Sequence, residues 1–153
     1  MKKDLIILDE DKNWAKMRIA QLEQEIQALG PAFYDVFNQS SETWHDNAPF
    51  DALRDHQSVL DAELQSLRSV LRNSLPSVPK QKRNVVGVGS TVTLKDAKGT
   101  HFRYMVAGDW TYRAGQTANG VTVVSREAPL ARDLAGKKIG ATSRFGEIIG
   151  IET

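Results

Sequence analysis

Ser40-Ser41-Glu42-Thr43-Trp44-His45-Asp46-Asn47-Ala48-Pro49-Phe50-Asp51 is the stretch on which the fold of this 153-residue chain turns. One helical repeat runs into it and a second runs out of it. It carries three acids, Glu42, Asp46 and Asp51, beside Trp44 and His45. Burying such carboxylates without partners is costly, so nothing here suits a buried turn. Asn47-Ala48-Pro49 starts a helix, with asparagine able to cap and proline in the first turn, where its missing N–H costs nothing. The stretch is therefore predicted to be an exposed loop at the far end of a helical hairpin, presented to a partner.

Upstream, Ala15, Ile19, Leu22, Ile26, Leu29, Phe33 and Val36 alternate at spacings of four and three, the seam of a coiled coil. Glu23, Gln24, Glu25 and Gln27 are good helix formers for a solvated face. Asp9 or Asp11 is placed to cap the start. Gly30-Pro31 interrupts the repeat, but the seam continues in phase through Phe33 and Val36, which predicts a kink and not an end. Downstream, Leu53, Leu60, Leu64, Leu67 and Leu71 form a second seam, with Gln57 at its one polar position. Each arm is about 25 residues, or about 35–40 Å at 1.5 Å per residue. Two such seams joined by a short polar loop predict an antiparallel helical hairpin over residues 1–75, with its acidic tip near 40–48. Half of an ordinary bundle is the competing architecture; each helix shows one narrow stripe, and no further helices follow nearby to complete a bundle.

Ser74 to Asn84 holds two prolines and Lys80, Lys82 and Arg83, and residues 76–84 read as a linker. From Val85 the pattern changes. Val86 to Leu94 alternates and is β-branched, Asp96-Ala97-Lys98-Gly99 is a turn, and Phe102 to Ala107, Val121 to Ser125 and Glu147 to Ile151 read as further strands. Pro129 to Ala135 reads as a short helix stopped by Gly136. Residues 85–153 are thus predicted to form a small antiparallel sheet with one helix, and the whole chain an α+β protein.

The net charge of +1 conceals a split. Residues 1–75 carry thirteen acids against eight Lys or Arg, a net of −5, and residues 76–153 carry six against twelve, a net of +6. That asymmetry suits two domains with different partners, or one partner with two kinds of surface; chance on a small protein is the bland alternative. There is no cysteine, which removes disulfides and thiolate chemistry. The apolar run after Met1-Lys2-Lys3-Asp4 is too short for a signal peptide, and no run approaches the ~20 residues of a membrane span. A soluble, cytoplasmic protein is expected.

Catalytic constellations are scarce. His45, His56 and His101 have no metal-ligand spacing and no paired nucleophile. Gly87-Val88-Gly89 precedes a strand and is not a phosphate loop. The loop carboxylates alone are suggestive, because Mg²⁺ prefers oxygen ligands and keeps waters. One or two of them complete a site only if a partner supplies the rest. A solvated acidic loop is the plainer alternative.

At this point the residues resemble a known family. Asp46-Asn47-Ala48-Pro49-Phe50-Asp51-Ala52-Leu53-Arg54-Asp55-His56-Gln57 is similar to the tip and second helix of the Gre transcript cleavage factors of bacterial RNA polymerase, approximately E-N-A-E-Y-x-A-A-[KR]-E-x-Q. Gly89-Ser90-Thr91-Val92-Thr93-Leu94 resembles their G-[AS]-x-V-T-[VL] strand, and Tyr104 to Asp109 their Y-x-I-V-G-x. Pro129 to Gly140 looks like S-P-[LI]-[AG]-[KR]-A-L-[LI]-G-K-K-x-G. The resemblance implies a hairpin that enters the polymerase secondary channel and an FKBP-like C-terminal domain that docks on the channel rim. It implies a monomeric factor, not an enzyme alone, that acts on nascent RNA indirectly. Asp46, Glu42 and Asn47 would be the catalytic tip residues, with Asp46 and Glu42 helping to hold a Mg²⁺ shared with the polymerase active site. Two metals that clamp the attacking and leaving oxygens supply the cleavage logic. Pro129, Leu130, Arg132 and Lys137 would form the docking surface.

The chain departs from the family pattern at the tip. Where the family reads G-D-L-[SK]-E-N, Asp46 takes the Glu place, Thr43 stands where Asp is expected, and Glu42 comes one residue early. Ser125-Arg126-Glu127-Ala128-Pro129 carries an insertion where the family has Ser-Pro adjacent. The alternative within the family is a regulator that occupies the channel without promoting cleavage. Outside it stand a peptidyl-prolyl isomerase, which needs an aromatic-lined pocket, and a generic coiled-coil scaffold.

Overall fold

The structure, a computed structural model, describes residues 4–40 and 48–153. Two helices come first, α1 (Asp9–Ser40) and α2 (Ala48–Arg72). They are followed by β1 (Thr91–Lys95), β2 (His101–Val106), β3 (Thr117–Ala118), β4 (Val121–Val124), α3 (Pro129–Leu134), β5 (Thr142–Ser143) and β6 (Gly146–Glu152). The expected tip residues Glu42, Asp46 and Asn47 lie outside the described residues.

The two helices form the expected hairpin. Phe33, late in α1, meets Phe50, early in α2, edge to face at 5.7 Å. Arg18, early in α1, reaches Glu63, late in α2, and Arg68 reaches Glu23. Seam residues Ala15, Leu22, Leu60, Leu64 and Leu67 are buried, whereas Ile26, Leu29, Phe33 and Leu53 are half-buried. Helix α1 is 32 residues long and passes through Pro31 without ending. The continued apolar seam outweighs the one hydrogen bond that proline removes. Neither expected acid caps α1. Lys12 N–H donates to the Leu8 carbonyl, so Asp9, Glu10 and Asp11 all lie inside the first turn.

The chain divides into two compact units. One is Asn13–Arg72, and the other joins Asn73–Thr153 to the N-terminal segment through Lys12. The sequence reading assigns all of residues 1–75 to the hairpin. The N-terminal segment instead belongs with the sheet, because its hydrogen bonds go there. Leu5 N–H donates to the Asn73 carbonyl, Leu75 N–H to the Leu5 carbonyl, and Asp109 N–H to the Ile6 carbonyl.

The sheet has six strands in the order β3-β4-β2-β1-β6-β5. It is mixed, not purely antiparallel, since β2 and β4 run parallel with Arg103 opposite Val121 and Val106 opposite Val124. The chain reverses once after β2 and again at Asn119-Gly120, so β4 regains the direction of β2. Both residues of that second turn have positive φ, 52° and 77°, as a two-residue hairpin turn of this hand requires. The strand expected over Val86–Leu94 is also shorter. Gly89, at φ 91°, and a bond from Ser90 N–H to the Gly87 carbonyl turn the chain before β1. Val86 then leaves the ladder and joins the core. That core comprises Val92, Leu94, Val106 and Ile148 from the sheet with Ala131 and Leu134 of α3. Gly136, at φ 78°, ends the helix segment as the sequence suggests.

Candidate functional site

Helix α3 and the loop before it gather the described candidates. Pro129 opens α3, and Ala128, the cap residue, makes no side-chain capping bond. A tight turn precedes them, with Ala128 N–H donating to the Ser125 carbonyl and Glu127 N–H to Ser125 Oγ. One side of α3 faces inward. Ala131 and Leu134 are buried, and Leu130 packs half-buried against the core. Leu134 is thus a core residue, and Leu130 is shared between core and surface. Pro129 and Arg132 stay exposed and, with Asp133 and Arg144, line a shallow groove.

The charges here are paired in a chain. Arg126 Nε donates to Asp109 Oδ1 at 2.5 Å. It also lies 3.8 Å from Glu127 Oε1, and Glu127 Oε2 accepts from Arg132 Nη2 at 2.6 Å. Lys137, past the helix end, lies 3.7 Å from Asp133 and donates to the Thr142 carbonyl. Asp133 in turn accepts from Arg144 N–H at 3.0 Å. Pro129, Leu130 and Arg132 therefore share one short element, and Lys137 is tied to its last turn. Sequence reasoning passed over Arg126, Asp109 and Arg144. The one signal for Arg126 was its place in the inserted Ser125-Arg126-Glu127-Ala128; Asp109 entered only as the last residue of the Tyr104 to Asp109 motif.

Beside α3, a groove of about 390 Å³ has a floor of Val86, Val106 and Ala131 and is edged by Arg126 and Arg132. Among the described residues its lining holds no aromatic ring. Also among the described residues, no group of three His, Asp or Glu could hold a metal ion. His56 and His101 are exposed and far apart in sequence. No described helix is long and apolar enough to cross a membrane.

Comparison with known proteins falls on this same unit. Residues 80–147 match the family model described as transcription elongation factor, GreA/GreB, C-terminal. That span contains the α3 motif and the strands around it. Through this domain the chain is similar to the GreA/GreB family. Transcription elongation factor GreA of Staphylococcus saprophyticus is 30% identical over 95 residues, covering 61% of this chain and 57% of that protein. GreA of Staphylococcus aureus strain JH9 is 31% identical over 93 residues, covering 60% and 56%. The chain thus spans a little over half the length of the curated relatives it matches. Among solved structures, the transcription factor Gfh1 aligns over 100% of both chains at 16% identity with a TM-score of 0.46. Thermus aquaticus Gfh1 aligns over 99% of both at 18% identity with a TM-score of 0.40. The similarity to the family model lies in residues 80–147, and the two helices precede them in the chain.

Proposed function

We propose that this chain is a transcription elongation factor that binds bacterial RNA polymerase through the secondary channel and stimulates cleavage of backtracked nascent RNA. The observation that carries this reading is the GreA/GreB match over residues 80–147, together with the elongation-factor names of the relatives. The helical hairpin supports it, because a two-helix arm ending in an acidic stretch is the kind of element that reaches into a channel. Docking is assigned to the α3 face, with Pro129, Leu130, Arg132 and Lys137, in a half of the chain with net charge +6. Such a surface raises the on-rate and fixes the orientation of an acidic partner surface.

At the tip, Asp46 is the first Mg²⁺-directed carboxylate and Glu42 the second, with Asn47 beside them. Two carboxylates are an incomplete donor set for Mg²⁺, which takes octahedral oxygen coordination. The remaining ligands belong to the polymerase, whose metal supplies the Lewis acidity for phosphodiester hydrolysis. The chain itself only presents carboxylates and is not an enzyme alone.

The altered tip favours a second reading. Thr43 stands at the place of a family acid, and a factor with one acid in register would occupy the channel without promoting cleavage. Incubating a stalled, backtracked elongation complex with and without the protein separates the two. Shortened RNA supports the first, and binding with intact RNA supports the second.

A further inference from the structure

We propose that Asp109 is a positioning residue that couples the N-terminal strap, residues 5–7, to Arg132 on the docking face. The inference deepens the docking reading above and rests on it for its functional consequence. Its structural half stands on hydrogen bonds within the sheet-containing unit.

Asp109 is a fork. Its Oδ2 accepts from Ile6 N–H at 2.7 Å, and its Oδ1 accepts from Arg126 Nε at 2.5 Å. The side chain is only 10% exposed, so water does not readily replace either donor. The backbone locks the same junction. Asp109 N–H donates to the Ile6 carbonyl at 2.6 Å, and Arg126 N–H donates to the Gly108 carbonyl at 3.2 Å. The strap lies so close that a Cβ on Gly108 would sit 2.0 Å from the Ile6 carbonyl oxygen. Ile7, the next strap residue, is 1% exposed. The strap is therefore seated in the unit, not draped across it.

Beyond Asp109 the signs alternate: Asp109, Arg126, Glu127, Arg132. Arg126 is held by Asp109 and stands 3.8 Å from Glu127, while Glu127 holds Arg132 at 2.6 Å. If Asp109 is neutralised, or its carboxylate swings out of place when the strap that fixes it moves away, Arg126 turns to the next carboxylate, Glu127. It then competes with Arg132 for that carboxylate, and Arg132 loses its fixed place. A preorganised cation binds better than a released one, since less side-chain freedom is lost on docking. The strap leads directly into α1, so the state of the N-terminal segment is reported at the docking face.

Two measurements test this on the full-length chain. The first is hydrogen exchange of the free protein. Asp109→Asn is expected to raise exchange in residues 5–7 and in residues 126–132 together. Gly108→Ala, which pushes the strap away and leaves the carboxylate intact, is expected to do the same. Faster exchange confined to residues 5–7 in Asp109→Asn overturns the coupling even if Gly108→Ala fails to fold. The second is a double-mutant cycle of core bacterial RNA polymerase binding. Asp109→Asn is expected to weaken binding at least threefold in the wild-type background and not at all in the Arg132→Ala background. A merely structural role gives equal losses in both backgrounds and overturns the assignment. Wild-type protein that does not bind polymerase instead overturns the docking reading, and the exchange experiment still decides whether Asp109 links the two segments.

Discussion

At the scale of the residue, two substitutions separate surface from interior. Arg132 has a side chain 67% exposed and, among the described residues, pairs with the exposed Glu127. Exposed ion pairs contribute about 0–1 kcal/mol, so Arg132→Glu should leave the thermal unfolding midpoint within a few degrees of wild type. It should weaken polymerase binding about tenfold or more, because a reversed charge opposes the complementarity that docking uses. A titration showing unchanged affinity removes Arg132 from the docking surface. Asp11 is the opposite case. It is fully buried, accepts from Thr111 Oγ1 at 2.9 Å, and lies 3.4 Å from Arg113 Nε without hydrogen-bond alignment. Asp11 Oδ2 and Arg113 Nη2 find no hydrogen-bond partner among the described residues. A buried pair satisfied only in part gives little net stability, and removing Asp11 leaves Arg113 only the exposed Glu10 carboxylate, 3.2 Å away, so the loss falls at the low end for a broken buried pair. Asp11→Ala should therefore cost about 3 kcal/mol in urea unfolding, and the joint change Asp11→Leu with Arg113→Met should be neutral or stabilising. A single-mutant loss below about 1 kcal/mol would show that the pair is not buried as described.

At the scale of the element, the hairpin carries a pH prediction. Arg18 Nε and Nη2 both donate to the Glu63 carboxylate, at 2.6 and 2.9 Å. The hydrogen bond from Arg18 holds Glu63 below its ordinary value, more strongly than desolvation raises it, and the same bond raises Arg18. A carboxyl whose pKa is lowered on folding adds stability above its unfolded value and loses it as pH falls through the folded value. The unfolded value is about 4.3, so the loss should begin near pH 4 and continue below it. Both groups are substantially exposed, which keeps the effect small, as for other surface pairs. Glu63→Gln should flatten part of the acid limb in a pH series of hairpin unfolding; identical limbs would assign the acid sensitivity to other carboxylates. This element was also the most legible in sequence. The seams from Ala15 to Val36 and from Leu53 to Leu71 are long and periodic, and period survives errors at single positions. The Asp96–Gly99 turn and the stop at Gly136 were legible because each needs a particular backbone conformation. The parallel β2–β4 pair was not, although Asn119-Gly120 is a strong hairpin signal. The two-residue β3 is too short to show alternation before it. The strap was illegible for a different reason. Leu5, Ile6 and Ile7 are an apolar run of no period, and their partners Asn73, Leu75 and Asp109 lie about 70 to 100 residues away in sequence. The site divides the same way. Pro129 and Arg132 were named by motif as docking candidates, whereas the Asp109–Arg126 fork depends on a tertiary contact that no local pattern encodes.

At the scale of the whole molecule, the proposed function turns on what the acidic stretch would do if the C-terminal domain docks on polymerase. Asp46 directly precedes Asn47 and takes the family's acidic place, so it is the first carboxylate to test. Glu42 lies four residues earlier, and its extra methylene can compensate for the shifted position. Two such ligands bind Mg²⁺ weakly in isolation. On the proposed reading, docking would convert their encounter with the polymerase metal into an intramolecular event, and effective concentrations in the millimolar range or above make weak ligands useful. The isolated protein should therefore show no nuclease activity and no tight Mg²⁺ binding by calorimetry. Tight binding by the free chain would point to a complete site of its own. With a backtracked elongation complex the chain should accelerate RNA cleavage, and Asp46→Asn should lower that stimulation more than tenfold while binding survives. Tenfold corresponds to about 1.4 kcal/mol of transition-state stabilisation, a modest loss for one charged ligand. Each outcome has a distinct meaning. If wild type binds polymerase and leaves backtracked RNA uncut, the chain is a channel occupant, and Thr43 in place of the family acid is the residue to change first. If wild type and Asp46→Asn cleave equally, the working carboxylate is Glu42, and Glu42→Gln should then carry the loss.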